Sequence, residues 1–386
     1  MSFPPLKIGD LTARVPIVQG GMGVGISLSG LASAVANEGG IGVIAGAMIG
    51  MNEPGLYKDP VEADTNALRR EIQTARAKTD GLLGVNIMVA LSNFSQLVQT
   101  SLEEKIDFIF SGAGLPLDLP QYWRNACDAT QEELRTKLAP IISSARAASI
   151  IGRKWMSRFG YVPDAFVLEG PKAGGHLGFK PEDLSDPGHD LEQVLPEVLE
   201  AVKPMEDVAG RAVPVIAAGG IFSGFDIRKF MSMGAAGVQL GTRFVATHEC
   251  DADIRFKQAF VDAKAEDVTI IKSPVGMPGR AINNAFLDSV SEGLRKPFKC
   301  LFQCIKSCEV EKSPYCIAAA LLNAKRGNLD KGFAFTGINA HLINSIESVK
   351  DVFNSLQKEF DEAVAKFSWT MNIPGFGGQK QGEDGK

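Results

Sequence analysis

The chain has 386 residues, 45% hydrophobic and 22% charged, and a net charge of −5. That length buries a large core in one or two domains, and the acidic balance argues against a nucleic-acid partner, because phosphate binding needs clustered positive charge. The N-terminus lacks a charged segment leading into an apolar one, and no window reaches about eighteen uncharged apolar residues. Neither a signal peptide nor a membrane span is therefore expected. The expected location is cytoplasmic, and the six cysteines are expected to be thiols, metal ligands or redox groups rather than structural disulfides.

The pattern predicts a strand over 15–19, ending in Gly20-Gly21-Met22-Gly23, then a helix of small residues over 29–37 stopped by Gly39-Gly40. A strand over 41–45 and a Pro/Gly-punctuated loop over 50–60 lead to an amphipathic helix over 66–78, with Leu68, Ile72 and Ala75 on its apolar side. The unit repeats: strand 82–87 and helix 94–102, strand 108–112 and a polar helix or helical turn over 131–137, strand 139–143 and helix 144–155. Strand 164–168 runs into Glu169-Gly170-Pro171-Lys172-Ala173-Gly174-Gly175-His176-Leu177-Gly178, and a helix covers 191–202. Strand 213–217 ends in Ala218-Gly219-Gly220-Ile221 and is followed by helix 224–233. Strand 236–240 ends in Gly241-Thr242-Arg243-Phe244.

Strict alternation implies parallel strands, since parallel neighbours need crossover connections. Eight repeats imply an α/β fold closed as a TIM (β/α)₈ barrel; without the weakly patterned fifth strand the alternative is an open sheet. From 244 to 331 the alternation stops, which predicts a smaller, mostly helical lobe inserted after the eighth strand. An amphipathic stretch over 345–367 then supplies the last barrel helix. The barrel is thus assigned 1–243 and 332–370, and the Gly-rich, charged end over 371–386 is expected to be disordered.

In a barrel all the Gly-rich loops open on one face. His176 stands out among the four histidines because four glycines surround it at a strand's end. Its functional reading competes evenly with that of a solvated turn. The loops after strands seven and eight, with Gly219, Gly220, Gly241 and Thr242, lie where barrels bind phosphate through backbone N–H groups. Arg243 could add charge there or turn inward to a salt bridge. A phosphate ligand that reaches several loops suggests a mononucleotide, with Gln19 and Asn86 as amides for its ring edge. No Gly-x-Gly-x-x-Gly dinucleotide fingerprint, phosphate-binding P-loop, Gly-x-Ser-x-Gly elbow or Ser-His-Asp triad is found.

The ordered set Gln19 to Gly23, Gly84-Val85-Asn86, Glu169 to His176, Ala217 to Ile221 and Gly241 to Phe244 resembles the nitronate monooxygenase family, formerly the 2-nitropropane dioxygenases. That family also holds FMN-dependent enoyl-acyl-carrier-protein reductases and NAD(P)H:quinone reductases. The resemblance implies FMN in a TIM barrel, with its phosphate on Gly219, Gly220, Gly241 and Thr242. It implies Gln19, Gly20, Gly21, Met22 and Asn86 near the flavin ring, Ala173, Gly174 and Gly175 in the loop beside it, and His176 as the catalytic residue facing flavin and substrate. The expected activity is oxidation of alkyl nitronates with O₂. The alternatives are an NAD(P)H-dependent enoyl or quinone reductase and a non-catalytic flavin-binding sensor. An enoyl reductase would need a basic surface for an acidic acyl carrier protein, for which the lysines at 296, 299, 306 and 312 are candidates. Lys172 stands where many relatives carry an acid. The implied partners are a small-molecule substrate, NAD(P)H under the reductase readings and an acyl carrier protein under the enoyl-reductase one, with no nucleic acid or membrane; a homodimer is compatible.

Cys300, Cys304 and Cys308 share a spacing of four, which on a helix puts them on one face, and Cys316 follows. The expectation weighed here is an Fe–S cluster or zinc site against a packed thiol-rich face. The spacing matches no standard ligand pattern.

Overall fold

In the computed structural model, eight parallel strands form a ring. The structure describes residues 3–131, 133–294, 300 and 302–371, with side chains of the last helix to residue 366. A short antiparallel hairpin, β1 (Leu6–Ile8) and β2 (Leu11–Ala13), precedes the ring. The ring strands are β3 (Ile17–Gln19), β4 (Gly42–Ala45), β5 (Leu83–Met88), β6 (Phe108–Gly112), β7 (Lys137–Ile142) and β8 (Phe166–Glu169). After an intervening short strand, β9 (Gly175–His176), come β10 (Val215–Ala218) and β11 (Gly237–Leu240). Their order is β3-β11-β10-β8-β7-β6-β5-β4, every pair parallel. One bridge, Val18 to Ile41, joins the two end strands and makes the sheet a barrel.

The two faces of each strand go to different cores, as the two-residue side-chain period requires. Val18, Val43, Phe108, Phe110, Val167 and Ile216 point into the barrel and pack with Leu6, Ile8 and Leu11 of the hairpin, which plugs one end. Ile17, Ile44, Ile109, Phe166 and Leu168 face outward to the helices. These are α1 (Ser29–Asn37), α2 (Pro60–Arg76), α3 (Phe94–Glu103), α4 (Leu119–Thr130), α5 (Ala145–Phe159), α6 (Leu191–Ala209) and α7 (Gly224–Ser232). A single turn, α8 (Thr242–Val245), leads into the insertion with α9 (Ile254–Asp262), α10 (Ala285–Ser291) and α11 (Ile317–Lys325). The chain returns through α12 (Val349–Met371), which packs between α1 and α7 as the eighth helix of the ring. The approach to α7 is close: a Cβ on Gly224 would lie 2.2 Å from the Leu356 carbonyl oxygen.

Two expectations for helices are corrected. The fourth helix lies at Leu119–Thr130, not over 131–137. Pro120 sits in its first turn, and Gln131 ends it in the left-handed conformation at φ 53°. Residues 137–142 are already strand. The second helix starts at Pro60 rather than 66, because the Asp59 carboxylate accepts from the N–H groups of Val61 and Glu62, each at 3.0 Å. The insertion also holds a ribbon that its composition did not announce. Strands β12 (Val268–Lys272) and β13 (Pro278–Ile282) pair antiparallel, and β13 pairs again with β9. The ribbon thus fastens the insertion to the loop that carries His176. The expected disordered end, apart from Met371, lies outside the described residues.

Candidate active site

A cavity of about 280 Å³ opens at the C-terminal ends of the strands. All but one of the residues expected to touch a cofactor line it: Gly20, Gly21 and Met22 after β3, Asn86 in β5, Ala173, Gly174 and Gly175 after β8, Gly219 and Gly220 after β10, and Gly241 and Thr242 after β11. His176 lines it too. Among the described lining residues only Glu169 and His176 are ionisable.

Gln19 is the exception. Its side chain is fully buried and spent on the barrel's seam, where Oε1 accepts from the Val43 N–H at 2.9 Å and Nε2 donates to the Gly20 carbonyl. The amide beside Gly20 in the cavity is instead Gln239 of β11. Arg243 turns away from the cavity. It donates to Ser355 at 3.0 Å, pairs with Glu347 at 3.5 Å and covers the Phe222 ring. Lys172 is likewise engaged, at 2.9 Å from Asp190.

The loop after β10 is a cradle that requires glycine. Gly219 and Gly220 have φ of +94° and +78°. A Cβ on Gly219 would meet the Gly170 carbonyl oxygen at 2.9 Å and the Ala173 nitrogen at 3.0 Å. Among the described residues no acceptor meets the N–H groups of Gly219, Gly220 or Ile221, all of which line the cavity. Successive unpaired amides in such a turn form an anion-binding concavity. Among the described residues the lining carries no lysine or arginine, so an anion here would be held by backbone dipoles. On the opposite wall, a Cβ on Gly21 would sit 2.3 Å from the Asn86 Cβ, so glycine there lets the Asn86 amide lie against the loop. These residues fit a phosphate-bearing mononucleotide.

His176 is placed by the ribbon. As a residue of β9 it pairs with Gly279 of β13. Its Nε2 lies 2.7 Å from the Ser273 hydroxyl, and its ring meets Phe335 edge-on at 4.8 Å. Burial lowers its pKa to about 4, which keeps the imidazole neutral near pH 7. The loop before it is held by Arg280, a buried guanidinium that donates to the carbonyls of Pro171, at 2.7 Å, and Ala173. From the far side Thr336-Gly337 presses on Gly174, where a Cβ would meet the Thr336 carbonyl carbon at 2.5 Å. Gly337 also donates to the Thr242 hydroxyl oxygen at 2.9 Å. Glu169, at the end of β8, has no hydrogen-bond partner among the described residues, and burial raises its carboxyl to about 7. Sequence reasoning gave no role to Glu169, Gln239, Ser273, Arg280 or Phe335. Only Glu169, in the outlet of a predicted strand, and Gln239, at the end of another, had a local signal.

The cysteine expectation is corrected. Burial, with the neighbouring thiols, pushes Cys304 up to about 12. No group of three or more His, Cys, Asp or Glu able to hold a metal occurs among the described residues. The one-face argument fails because the described part of the segment is not α-helical: Gln303 has φ +47°, Ile305 bridges to Leu91, and only a 3₁₀ turn follows at Val310–Lys312.

The model of the nitronate monooxygenase family matches residues 5–109 and 92–359. The chain belongs to the nitronate monooxygenase family. Among relatives of this member, a (3aS,4S,5R,7aS)-5-hydroxy-7a-methyl-1-oxo-octahydro-1H-indene-4-carboxyl-CoA dehydrogenase of Mycobacterium tuberculosis is 29% identical over 280 residues, 72% of this chain and 66% of that one. Its counterpart in Rhodococcus jostii is 28% identical, and the chain spans 64% of its length. The chain thus covers just under two thirds of these two dehydrogenases. A probable nitronate monooxygenase of Staphylococcus aureus is 27% identical over 73% of this chain and 79% of its own. Among solved structures, FabK from Thermotoga maritima superposes with a TM-score of 0.70 at 29% identity, covering 93% of this chain and 96% of its own. The nitroalkane oxidase of Streptomyces ansochromogenes, at 22% identity and a TM-score of 0.68 over 92% of this chain and 98% of its own, shares the fold. The protein is thus a TIM barrel of this family. Among the described residues no helix is long and apolar enough to cross a membrane.

Proposed function

We propose that this family member is an FMN-dependent oxidoreductase that oxidises alkyl nitronates with O₂. The observation that carries the reading is a neutral, ribbon-held His176 in a cavity that also holds the unpaired amides of Gly219, Gly220 and Ile221. Those amides, with Gly241 and Thr242, would hold the FMN phosphate, and Gly21, Met22 and Asn86 would meet the ring. Bound FMN would supply electron acceptance from substrate and delivery to O₂.

The rest falls to the chain. The neutral imidazole adds no charge to the cavity, so an anionic nitronate is oriented by hydrogen bonding and by backbone N–H groups. The Ser273 hydroxyl at Nε2 holds the ring in place, and the Phe335 edge and the Thr336-Gly337 strap restrict water around it.

The second reading, reduction of an enoyl thioester by NAD(P)H, is favoured by the 29% identity to FabK and to a carboxyl-CoA dehydrogenase. The basic docking surface it calls for has weak support. Lys306 donates to the Val89 carbonyl at 3.0 Å, Lys312 is paired with Glu309, and the lysines at 296 and 299 lie outside the described residues. The discriminating experiment mixes the purified yellow protein anaerobically with ethyl nitronate, NADH or NADPH. Bleaching by nitronate alone supports the proposal, and bleaching by NAD(P)H alone refutes it in favour of the second reading.

A further inference from the structure

Among the described residues, the hydrogen-bond partner of the His176 ring is the Ser273 hydroxyl. Ser273 opens the turn between β12 and β13, and its backbone is spent there. Its N–H donates to the Met277 carbonyl at 3.1 Å, and its carbonyl accepts from Gly276 at 3.0 Å. Gly276 closes that turn at φ +86°. The residue is 3% exposed, so its hydroxyl is held dry at a place that the ribbon fixes.

The hydrogen bonds around that hydroxyl say which way its proton points. A hydroxyl has one proton and two lone pairs. One lone pair accepts from the Val275 N–H in a long contact of 3.4 Å. The other neighbour is His176 Nε2 at 2.7 Å. Were Nε2 the donor, the Ser273 proton would have no acceptor among the described residues. Leaving a buried hydroxyl proton unmatched costs about 1–3 kcal/mol. A hydroxyl that donates to a bare Nε2 leaves nothing unmatched, and 2.7 Å is an ordinary length for an O–H donor but short for an N–H one.

A neutral imidazole carries one proton, so that proton then sits on Nδ1. Nδ1 has no partner among the described residues, yet the sealed side-chain atoms without a partner there belong to Trp123, Arg243 and Tyr315. Nδ1 is therefore open, and the space His176 lines is the cavity at the strand ends. The edge of Phe335, at 4.8 Å, packs against the ring and keeps it from turning.

We propose that Ser273 is a positioning residue that holds His176 as the tautomer protonated on Nδ1, so that the ring meets the cavity as a hydrogen-bond donor. With the Nε2 lone pair taken by Ser273, the ring has no free lone pair for a proton of the ligand. The ligand atom opposite Nδ1 is an acceptor, and an oxyanion suits it best. The identity of that acceptor as a nitronate oxygen rests on the function proposed above; the tautomer does not.

Long-range proton–nitrogen correlation spectra of the protein as purified, labelled with nitrogen-15 in its histidines and recorded at pH 7, read the tautomer directly. A protonated ring nitrogen and a bare one resonate far apart, and the signals lost in His176→Gln identify the ring. The expected pattern has the proton on Nδ1 and a bare Nε2. In Ser273→Ala that preference is expected to be lost, while the signals of His189, His248 and His341 stay in place and report an intact fold. A proton on Nε2 in the wild type overturns the proposal, whether or not the variant folds, and so does the wild-type pattern in a folded Ser273→Ala. These spectra need no turnover, so they stand if the reaction proposed above is wrong. A kinetic arm rests on the nitronate reading. Ser273→Ala is expected to raise KM for ethyl nitronate about fivefold, the worth of one hydrogen bond, with a smaller change in kcat. An unchanged KM beside an altered tautomer would overturn the donation from Nδ1 to the substrate.

Discussion

Replacing Glu169 with Gln isolates a carboxyl that the cavity holds in an unfavourable state. The wild-type group has a pKa of about 7 in the folded protein against 4.5 unfolded, with desolvation as the cause. The folded state therefore binds the extra proton between these values, and stability falls as pH rises through that window. The shift is fully felt above pH 7. Between pH 5 and pH 8 the wild-type protein should lose about 2–3 kcal/mol from this group, at 1.36 kcal/mol per unit; water admitted by the cavity makes that a ceiling. Glu169→Gln keeps the shape and abolishes the titration. Urea unfolding of the flavin-free proteins at pH 5, 6, 7 and 8 measures the difference. His176 and Asp64 titrate in both proteins, so they cancel in the comparison. The variant should gain on the wild type steadily with pH, by up to about 2–3 kcal/mol at pH 8. Parallel stability curves would show that the folded carboxyl is ordinary and that the cavity does not desolvate it.

His176→Ala should keep bound FMN, read by its visible spectrum, while kcat falls by roughly 10²–10⁴; loss of the flavin would make the residue structural. Gly219→Ala places a Cβ at φ +94° and 2.9 Å from a backbone oxygen. It should destabilise by at least about 1–2 kcal/mol, with FMN affinity down at least tenfold by fluorescence titration. Arg280→Ala leaves two carbonyls of the His176 loop without their buried donor. A loss of about 2–4 kcal/mol in urea unfolding is expected, and Arg280→Lys should not rescue it, because one ammonium does not reproduce a planar fork.

The barrel was legible because alternation is local. Each apolar run, glycine loop and amphipathic stretch is contained in about twenty residues, and the parallel strands leave only a few closed arrangements. The same locality explains why the outlet glycines line the cavity: every strand end of a barrel reaches one face. It also explains the errors. Helix α4 was misplaced because capping by Pro120 and the left-handed Gln131 outweighed composition. Gln19 resembled a ligand amide by position, but its side chain is taken by the seam between β3 and β4, a contact between strands that only ring closure brings together. The cysteine spacing suggested a helical face in a segment whose described part is not α-helical.

By itself, then, the sequence determined the ring of strands, its glycine cradle and the histidine at the sixth outlet, because these depend on periodicity and on the special backbone of glycine. Only the tertiary structure decided what surrounds that histidine. Ser273, Arg280 and Phe335 come from about 100 to 160 residues downstream, delivered by the ribbon's pairing of β13 with β9 and by the strap at Thr336-Gly337. Burial in that tertiary setting is what holds the His176 imidazole neutral.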